Sequence, residues 1–176
     1  SFLYVLGYST NNYYNYVPNL YSNYNVVITS ASYSNGCNAG YTSLASDLDF
    51  QINTYPNLMH VFSAGNSGSS DCNYGAGSGW GNVTGGHKQA KNVITVANLT
   101  STSSLASSSS RGPASDGRIK PDIGAKGSSV YSTEENQTYG YKTGTSMSCP
   151  GISGVLAQLY QAYKELNGGI DPPSAL

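Results

Sequence analysis

Apolar residues along this chain follow two alternating patterns, short continuous runs and longer stretches with helical spacing. The continuous runs predict buried strands at FLYVLGY (2–8), NVVITSASY (25–33), LMHVFSAGN (58–66) and KNVITVANL (91–99). Helical spacing predicts helices over 41–56, where Leu44, Leu48 and Ile52 share a face, and over 145–167, with a short helix or turn over 17–24. Strands alternating with helices predict an α/β fold with a mostly parallel sheet.

The segments between these elements are polar and rich in turn residues. Residues 107–117 are a turn-rich loop, and residues 119–127 are short and extended. Residues 67–90 form a long Gly-rich segment without a periodic pattern. A loop of that length inside a compact domain is usually functional.

Composition narrows the class of protein. The chain has 176 residues, enough for one domain, with 38% hydrophobic and 10% charged residues and a net charge of -1. This charge gives no electrostatic argument for nucleic acid or an acidic membrane as a partner. No apolar run approaches the ~20 residues that span a bilayer. A surface of uncharged polar residues with 16 Tyr is more typical of a secreted protein.

The segment GTSMSCPG (144–151) places Ser146 at the start of the last predicted helix. Free backbone N–H groups and the helix dipole favour negative charge there, which suits a nucleophile. The alternative is that Ser146 or Thr145 only caps the helix. Pro150 lies early enough in the helix that its missing N–H costs little.

A second candidate residue, Asn66, lies where the strand 58–66 meets the Gly-rich loop, in SAGNSG (63–68). Sites in parallel sheets form outside the carboxyl ends of the strands. A side-chain amide at this point can donate a hydrogen bond to a developing oxyanion. The alternative is a turn Asn that tolerates an unusual backbone conformation.

Taken together, GTSMSCPG, HVFSAGNSG and SSSSRGPASDGRIKPDIGAKG resemble the subtilisin-like serine peptidases, the subtilases, over roughly residues 2–170. The resemblance implies a three-layer α/β fold and a secreted endopeptidase that acts on polypeptides. It implies Ser146 as nucleophile and Asn66, with the Ser146 backbone N–H, as oxyanion hole. It also implies that two segments clamp an extended substrate beside the specificity pocket, Ser32-Tyr33-Ser34 and Ser63-Ala64-Gly65.

Two departures from the family pattern qualify this prediction. Ala125-Lys126-Gly127 stands where relatives often have Ala-Pro-Gly, and the family's Asp and His motifs do not occur in the sequence. Residues 1–176 are therefore predicted to be part of a catalytic domain, with the remainder of that domain as partner and with little activity alone. On a strand, His60 would lie about 20 Å from the oxyanion end. His87, expected in a surface loop, resembles nothing in the His motif.

The missing elements predict a gap in the sheet beside residues 25–33 that another segment fills. Without that segment, the side chains of Val26, Ile28 and Val155 would be more exposed to solvent. Cys37 and Cys72 each follow a strand that flanks the implied pocket, so a disulfide between them is predicted, with Cys149 buried and unpaired. No cofactor is implied. Structural calcium is common in the family, but no D-x-D-type loop or other metal site appears.

Two other function classes are compatible with the sequence. One is a non-catalytic fragment whose Tyr- and Asn-rich loops bind peptide or glycan. The other is a different Ser hydrolase on a related sheet, which is weaker because Ser146 does not lie in a G-x-S-x-G motif.

Overall fold

The structure, a computed structural model, describes residues 10–33, 37, 40–73, 76–83 and 85–173. The strand predicted over residues 2–8 lies outside the described residues. Three α-helices are present, α1 (Thr10–Tyr24), α2 (Ser43–Thr54) and α3 (Thr145–Leu166). Helix α1 begins well before the predicted residue 17 and continues through Pro18, with Val17 buried.

A four-stranded parallel sheet forms the centre of the fold, as the sequence predicts. Its strands are β1 (Ile28–Ala31), β2 (Met59–Ser63), β3 (Ile94–Leu99) and β4 (Ile123–Lys126), paired in that order. Because the strands are parallel, the residues that follow β1 and β2 lie at the same end of the sheet, beyond the carboxyl ends of the strands.

Helices cover the two faces of this sheet and give the expected three layers. On one face, α2 buries Ala45, Leu48 and Ile52 against a cluster that includes Phe62. On the other face, α3 packs Cys149 against Val61 and Val96. The apolar spacing seen in the sequence therefore marks the faces that meet the sheet.

A two-stranded antiparallel hairpin, β5 (Val130–Thr133) and β6 (Tyr139–Lys142), precedes α3 and was not predicted from the sequence. Every residue of these strands is exposed or half-buried, so they lack the apolar alternation that signals a strand. Two 3₁₀ helices, Gly86–Gln89 and Glu135–Gln137, were also not predicted.

Strand β1 lies at the edge of the sheet, since it pairs with β2 and with no other described strand. Val26 and Ile28 are only half-buried, and Val155 on α3 is 49% exposed. The predicted gap beside residues 25–33, with another segment filling it, stays a prediction, because the strand predicted over residues 2–8 lies outside the described residues. Among the described residues, no helix has the length and apolar character needed to cross a membrane.

Candidate active site

Ser146 lies in the first turn of α3, as the sequence predicts, and is half-buried. Within the described part of the chain, its Oγ takes part in no side-chain hydrogen bond. Its carbonyl oxygen accepts a hydrogen bond from Ser32 Oγ at 3.2 Å, which connects the start of α3 to the residue after β1. In this first turn, the Thr145 and Met147 N–H groups donate to Asn66 Oδ1 and to Gly144 O, while no described residue accepts from the Ser146 N–H.

Asn66 is held beside Ser146 through Thr145. The Asn66 carboxamide oxygen accepts two hydrogen bonds, from Thr145 N–H at 2.9 Å and from Thr145 Oγ1 at 3.1 Å. Thr145 Oγ1 in turn accepts from Gly65 N–H at 3.1 Å. Because both contacts use the oxygen of the amide, its orientation is fixed by the network and Nδ2 is left as a donor.

The Asn66 side chain leaves its Nδ2 donor available for a hydrogen bond to a bound molecule. Asn66 is exposed, and none of the residues that the structure describes accepts a hydrogen bond from its Nδ2. An exposed donor whose partner atom is anchored on a buried threonine is preorganised toward solvent. Sequence reasoning did not identify Thr145 as the residue that fixes Asn66; the only signal was its place between Gly144 and Ser146.

Both predicted substrate segments contact the start of α3, through the hydrogen bonds of Ser32 Oγ to Ser146 O and of Gly65 N–H to Thr145 Oγ1. The first flank, Ser32 and Tyr33, follows β1; Ser32 is exposed and Tyr33 half-buried, while Ser34 lies outside the described residues. The second flank, Ser63–Gly65, is buried, and its Ala64 and Gly65 N–H groups already donate to Val96 O and Thr145 Oγ1.

A cleft of about 260 Å³ adjoins Ser146 on the side of the hairpin. Its walls are formed by the first turns of α3 and by the inner face of β5 and β6. Glu134 and Lys142, 3.5 Å apart, give this cleft its charged rim. The lining residues are Val130, Ser132, Thr133, Glu134, Gly140, Lys142, Ser146, Met147 and Pro150.

Neither histidine of the chain lies in the site. His60 is buried in β2, its Nδ1 is hydrogen-bonded to Thr29 Oγ1 at 2.6 Å, and burial lowers its pKa to about 3. His87 is also buried, not in a surface loop as expected, because its ring stacks on Phe62 and its Nδ1 is hydrogen-bonded to the Tyr33 hydroxyl. Burial lowers the His87 pKa to about 4.

The three cysteines are in two different states. Cys37 and Cys72 are joined in a disulfide, with their Cα atoms 5.2 Å apart. Cys149 is buried and unpaired, as predicted, with its Sγ 3.5 Å from the carbonyl oxygen of Val61. Burial raises the pKa of this thiol, so it remains protonated and packs as an apolar group.

No group of three or more His, Cys, Asp or Glu side chains that could hold a metal ion occurs among the described residues.

The chain matches a family model, curated proteins and a solved structure. The family model described as "Subtilase family" matches residues 7–169. The chain is 38% identical over 68 residues to the C5a peptidase of Streptococcus pyogenes, and 45% identical over 58 residues to the PII-type proteinase of Lactococcus lactis subsp. cremoris. These matches cover 39% and 33% of this chain, but only 6% and 3% of the two relatives.

The fold also matches a solved structure, that of the prenylagaramide maturation protease PagA. The TM-score is 0.73 at 18% identity, and the match covers 97% of this chain and 55% of that chain. The chain thus spans about half of this structural neighbour and a small part of its curated relatives.

Proposed function

Because this chain belongs to the subtilase family of serine peptidases, we propose that it provides the nucleophile and the oxyanion hole of an endopeptidase. Ser146 is the nucleophile. Asn66 Nδ2 and the Ser146 backbone N–H donate to the oxyanion. A His and an Asp from polypeptide outside these residues complete the triad.

The observation that carries this proposal is the network that joins Asn66, Thr145 and Gly65. It holds the Asn66 amide donor next to the first turn of the Ser146 helix. Preorganised donors cost no reorganisation when charge develops in the transition state. A serine that only capped the helix would not require an exposed, oriented amide beside it.

The proposed reaction proceeds in two halves. Ser146 Oγ bonds to the carbonyl carbon of the scissile peptide, and its proton passes to the imidazole supplied from outside the chain. The C–N bond then breaks, the amine leaves with that proton, and an ester remains on Ser146. Water attacks the ester, gives a proton to the imidazole, and the acid product leaves as the Ser146 hydroxyl is restored. The chemistry requires no cofactor, because protein groups supply every role.

A peptide substrate is proposed to bind as an extended strand along the first flank. Ser32 is exposed directly after an edge strand, so the backbone there is placed to pair with a peptide. On the second flank, the Ala64 and Gly65 N–H groups already donate to groups of the protein. Ser63–Gly65 is therefore proposed to contact the substrate by packing and not by strand pairing. Ser34, in the segment 34–36, is proposed to extend the first flank.

We expect these residues alone to be nearly inactive. A base must lie within about 3 Å of the nucleophile oxygen or reach it through one water. His60 and His87 are both buried and occupied by other contacts.

Secretion is proposed on the Cys37–Cys72 disulfide, since such bonds persist in oxidising compartments.

Fluorophosphonate labelling tests the nucleophile. The purified protein, with any polypeptide that co-purifies, is treated with the probe and the labelled peptide is identified by mass spectrometry. When the remainder of the catalytic domain co-purifies, Ser146 should be labelled, Ser146→Ala should abolish labelling, and Ser153→Ala on the same helix should not; residues 1–176 alone should be labelled only weakly. Labelling that survives Ser146→Ala would contradict the proposal. Intact mass under native and denaturing conditions shows whether further polypeptide is present.

A second candidate function is binding of peptide or glycan without catalysis. It is favoured by an exposed aromatic face on the hairpin, formed by Tyr131, Tyr139 and Tyr141, which are 59%, 63% and 72% exposed. The ring centroid of Tyr131 lies 4.9 Å from that of Tyr141 and 5.8 Å from that of Tyr139. Binding without any Ser146-dependent labelling or hydrolysis would favour this reading.

A further inference from the structure

Lys88 is a fully buried lysine in the 3₁₀ helix Gly86–Gln89. Its backbone is fixed on both sides, because its N–H donates to Gly85 O at 3.1 Å and its carbonyl accepts from Thr95 Oγ1 at 3.0 Å. These two contacts hold the Lys88 backbone in place, one of them to Thr95 of β3.

Among the described residues, none forms a hydrogen bond with the ammonium group of Lys88. It lies 5.6 Å from the centroid of the Tyr33 ring, which faces it as an aromatic surface. Burial lowers the Lys88 pKa to about 8, and the neighbouring Cys149 thiol opposes that shift. A buried ammonium without a partner costs free energy that a purely structural residue would not retain.

Lys120 shows how this fold treats a buried lysine with a structural role. Its side chain is also buried, but its Nζ donates to Val93 O at 2.9 Å and pairs with Asp122 at 2.7 Å. Lys88 has neither a carbonyl nor a carboxylate in that position. The difference indicates that its partner comes from a ligand.

The location of Lys88 identifies the ligand-binding region. Tyr33, which lies over the ammonium, belongs to the first flank of the proposed substrate cleft. His87, the preceding residue, stacks on Phe62, which directly precedes the second flank, with ring centroids 5.7 Å apart. Lys88 thus lies next to the first flank, and the residue before it contacts the residue that precedes the second flank.

We propose that Lys88 binds the carboxylate of an Asp or Glu side chain on the acyl side of the scissile bond and so selects acidic residues there. This inference rests on the proposed peptidase function. A carboxylate supplies acceptors for the three donors of the ammonium and neutralises its charge in a dry site. Tyr33 is half-buried, and the proposal requires its ring to turn away from Lys88 and release its hydrogen bond to His87 Nδ1 when the substrate binds.

The test uses the complete protease and two peptides that differ only in Glu or Gln before the scissile bond. The wild-type protein should have a kcat/KM ratio for Glu over Gln of about 10- to 100-fold, the factor expected for a charge-assisted hydrogen bond. Lys88→Met should reduce this ratio to about one. Lys91→Met, which removes an exposed lysine of the same segment, should leave it unchanged.

The melting temperature separates this role from a structural one. Lys88→Met should be as stable as the wild type or more stable, because an unpaired buried charge is replaced by an apolar side chain of similar volume. A Glu-to-Gln ratio near one in the wild type, or a ratio that Lys88→Met retains, overturns the inference. If Lys88→Met does not fold, the wild-type ratio decides alone.

The two proposals can fail separately. Hydrolysis that depends on Ser146 without preference for Glu leaves the peptidase proposal intact and overturns the role of Lys88. If hydrolysis does not depend on Ser146, the peptidase proposal fails. The role of Lys88 is then tested by calorimetry, which measures the binding of the same two peptides to the Ser146→Ala protein. Tighter binding of the Glu peptide that the added Lys88→Met substitution abolishes supports the carboxylate site; equal binding overturns it.

Discussion

Thr145 contributes to the site through Asn66 and touches no substrate in the proposed reaction. Its hydroxyl accepts from Gly65 N–H and donates to Asn66 Oδ1, so one side chain sets the orientation of the proposed oxyanion donor. The Asn66 oxygen keeps one further contact, with the Thr145 backbone N–H. Loss of the hydroxyl should therefore loosen the amide without releasing it.

We predict that Thr145→Val lowers kcat about tenfold with little change in KM, whereas Thr145→Ser keeps near wild-type kcat. Asn66→Ala sets the upper bound, because losing an oxyanion donor, as measured in a subtilisin, lowers turnover about 10²–10³-fold. Steady-state kinetics of the complete protease decide between these roles. A kcat loss in Thr145→Val that Thr145→Ser shares equally would show that the hydroxyl does not position Asn66.

At the scale of elements, the start of α3 is fixed by a close approach between two loops. Gly144 N–H donates to Gly127 O at 2.9 Å, which ties the residue before α3 to the end of β4. A Cβ at Gly127 would collide with Ser148 Oγ and come within 2.5 Å of Gly144 O. This packing explains why residue 127 is a Gly. The explanation does not depend on Lys126, the residue that departs from the family pattern.

We predict that Gly127→Ala destabilises the protein by about 2 kcal/mol or more, since backbone atoms must move to admit the methyl group. Gly154→Ala is the matched control, because a Cβ there meets nothing within 4 Å and alanine favours the helix. Denaturant unfolding measures both. Equal stability of Gly127→Ala and wild type would mean that the β4–α3 junction is loosely packed.

At the scale of the whole molecule, the two buried histidines link folding to pH. Their pKa values, about 3 for His60 and about 4 for His87, lie below the value of about 6.5 in the unfolded chain. The unfolded state therefore binds more protons between these limits. This contribution to stability is fully present above about pH 6.5 and is lost as the pH falls through the folded pKa values.

We predict that unfolding becomes easier between pH 6.5 and 4.5 by about 2–3 kcal/mol for each histidine. His60→Gln, whose amide can still contact the Thr29 hydroxyl, should have a shallower decline with falling pH. Thermal unfolding measured across this range provides the test. An unchanged slope in His60→Gln would show that His60 does not contribute to the acid sensitivity.

The sequence by itself determined the elements whose signal is local. The apolar runs predicted β1, β2 and β3 of the parallel sheet, whereas β4 was expected only as part of a short extended segment over 119–127. Leu48 and Ile52 marked the buried face of α2, because apolar spacing reports directly which side leaves water. The motifs around Asn66 and Ser146 gave the family, since their residues are adjacent in sequence. The hairpin was missed because its Tyr residues are exposed on a surface and carry no apolar alternation.

Only the tertiary structure decided what surrounds those motifs. The contact of Asn66 with Thr145 joins residues 79 positions apart, and no local pattern encodes it. His87 and Lys88 lie in a Gly-rich stretch that indicates a surface loop, yet both are buried because the 3₁₀ helix packs against α2 and against Phe62 of β2. Whether a polar side chain has a partner depends on the packing of distant segments, and this decides where a ligand is needed.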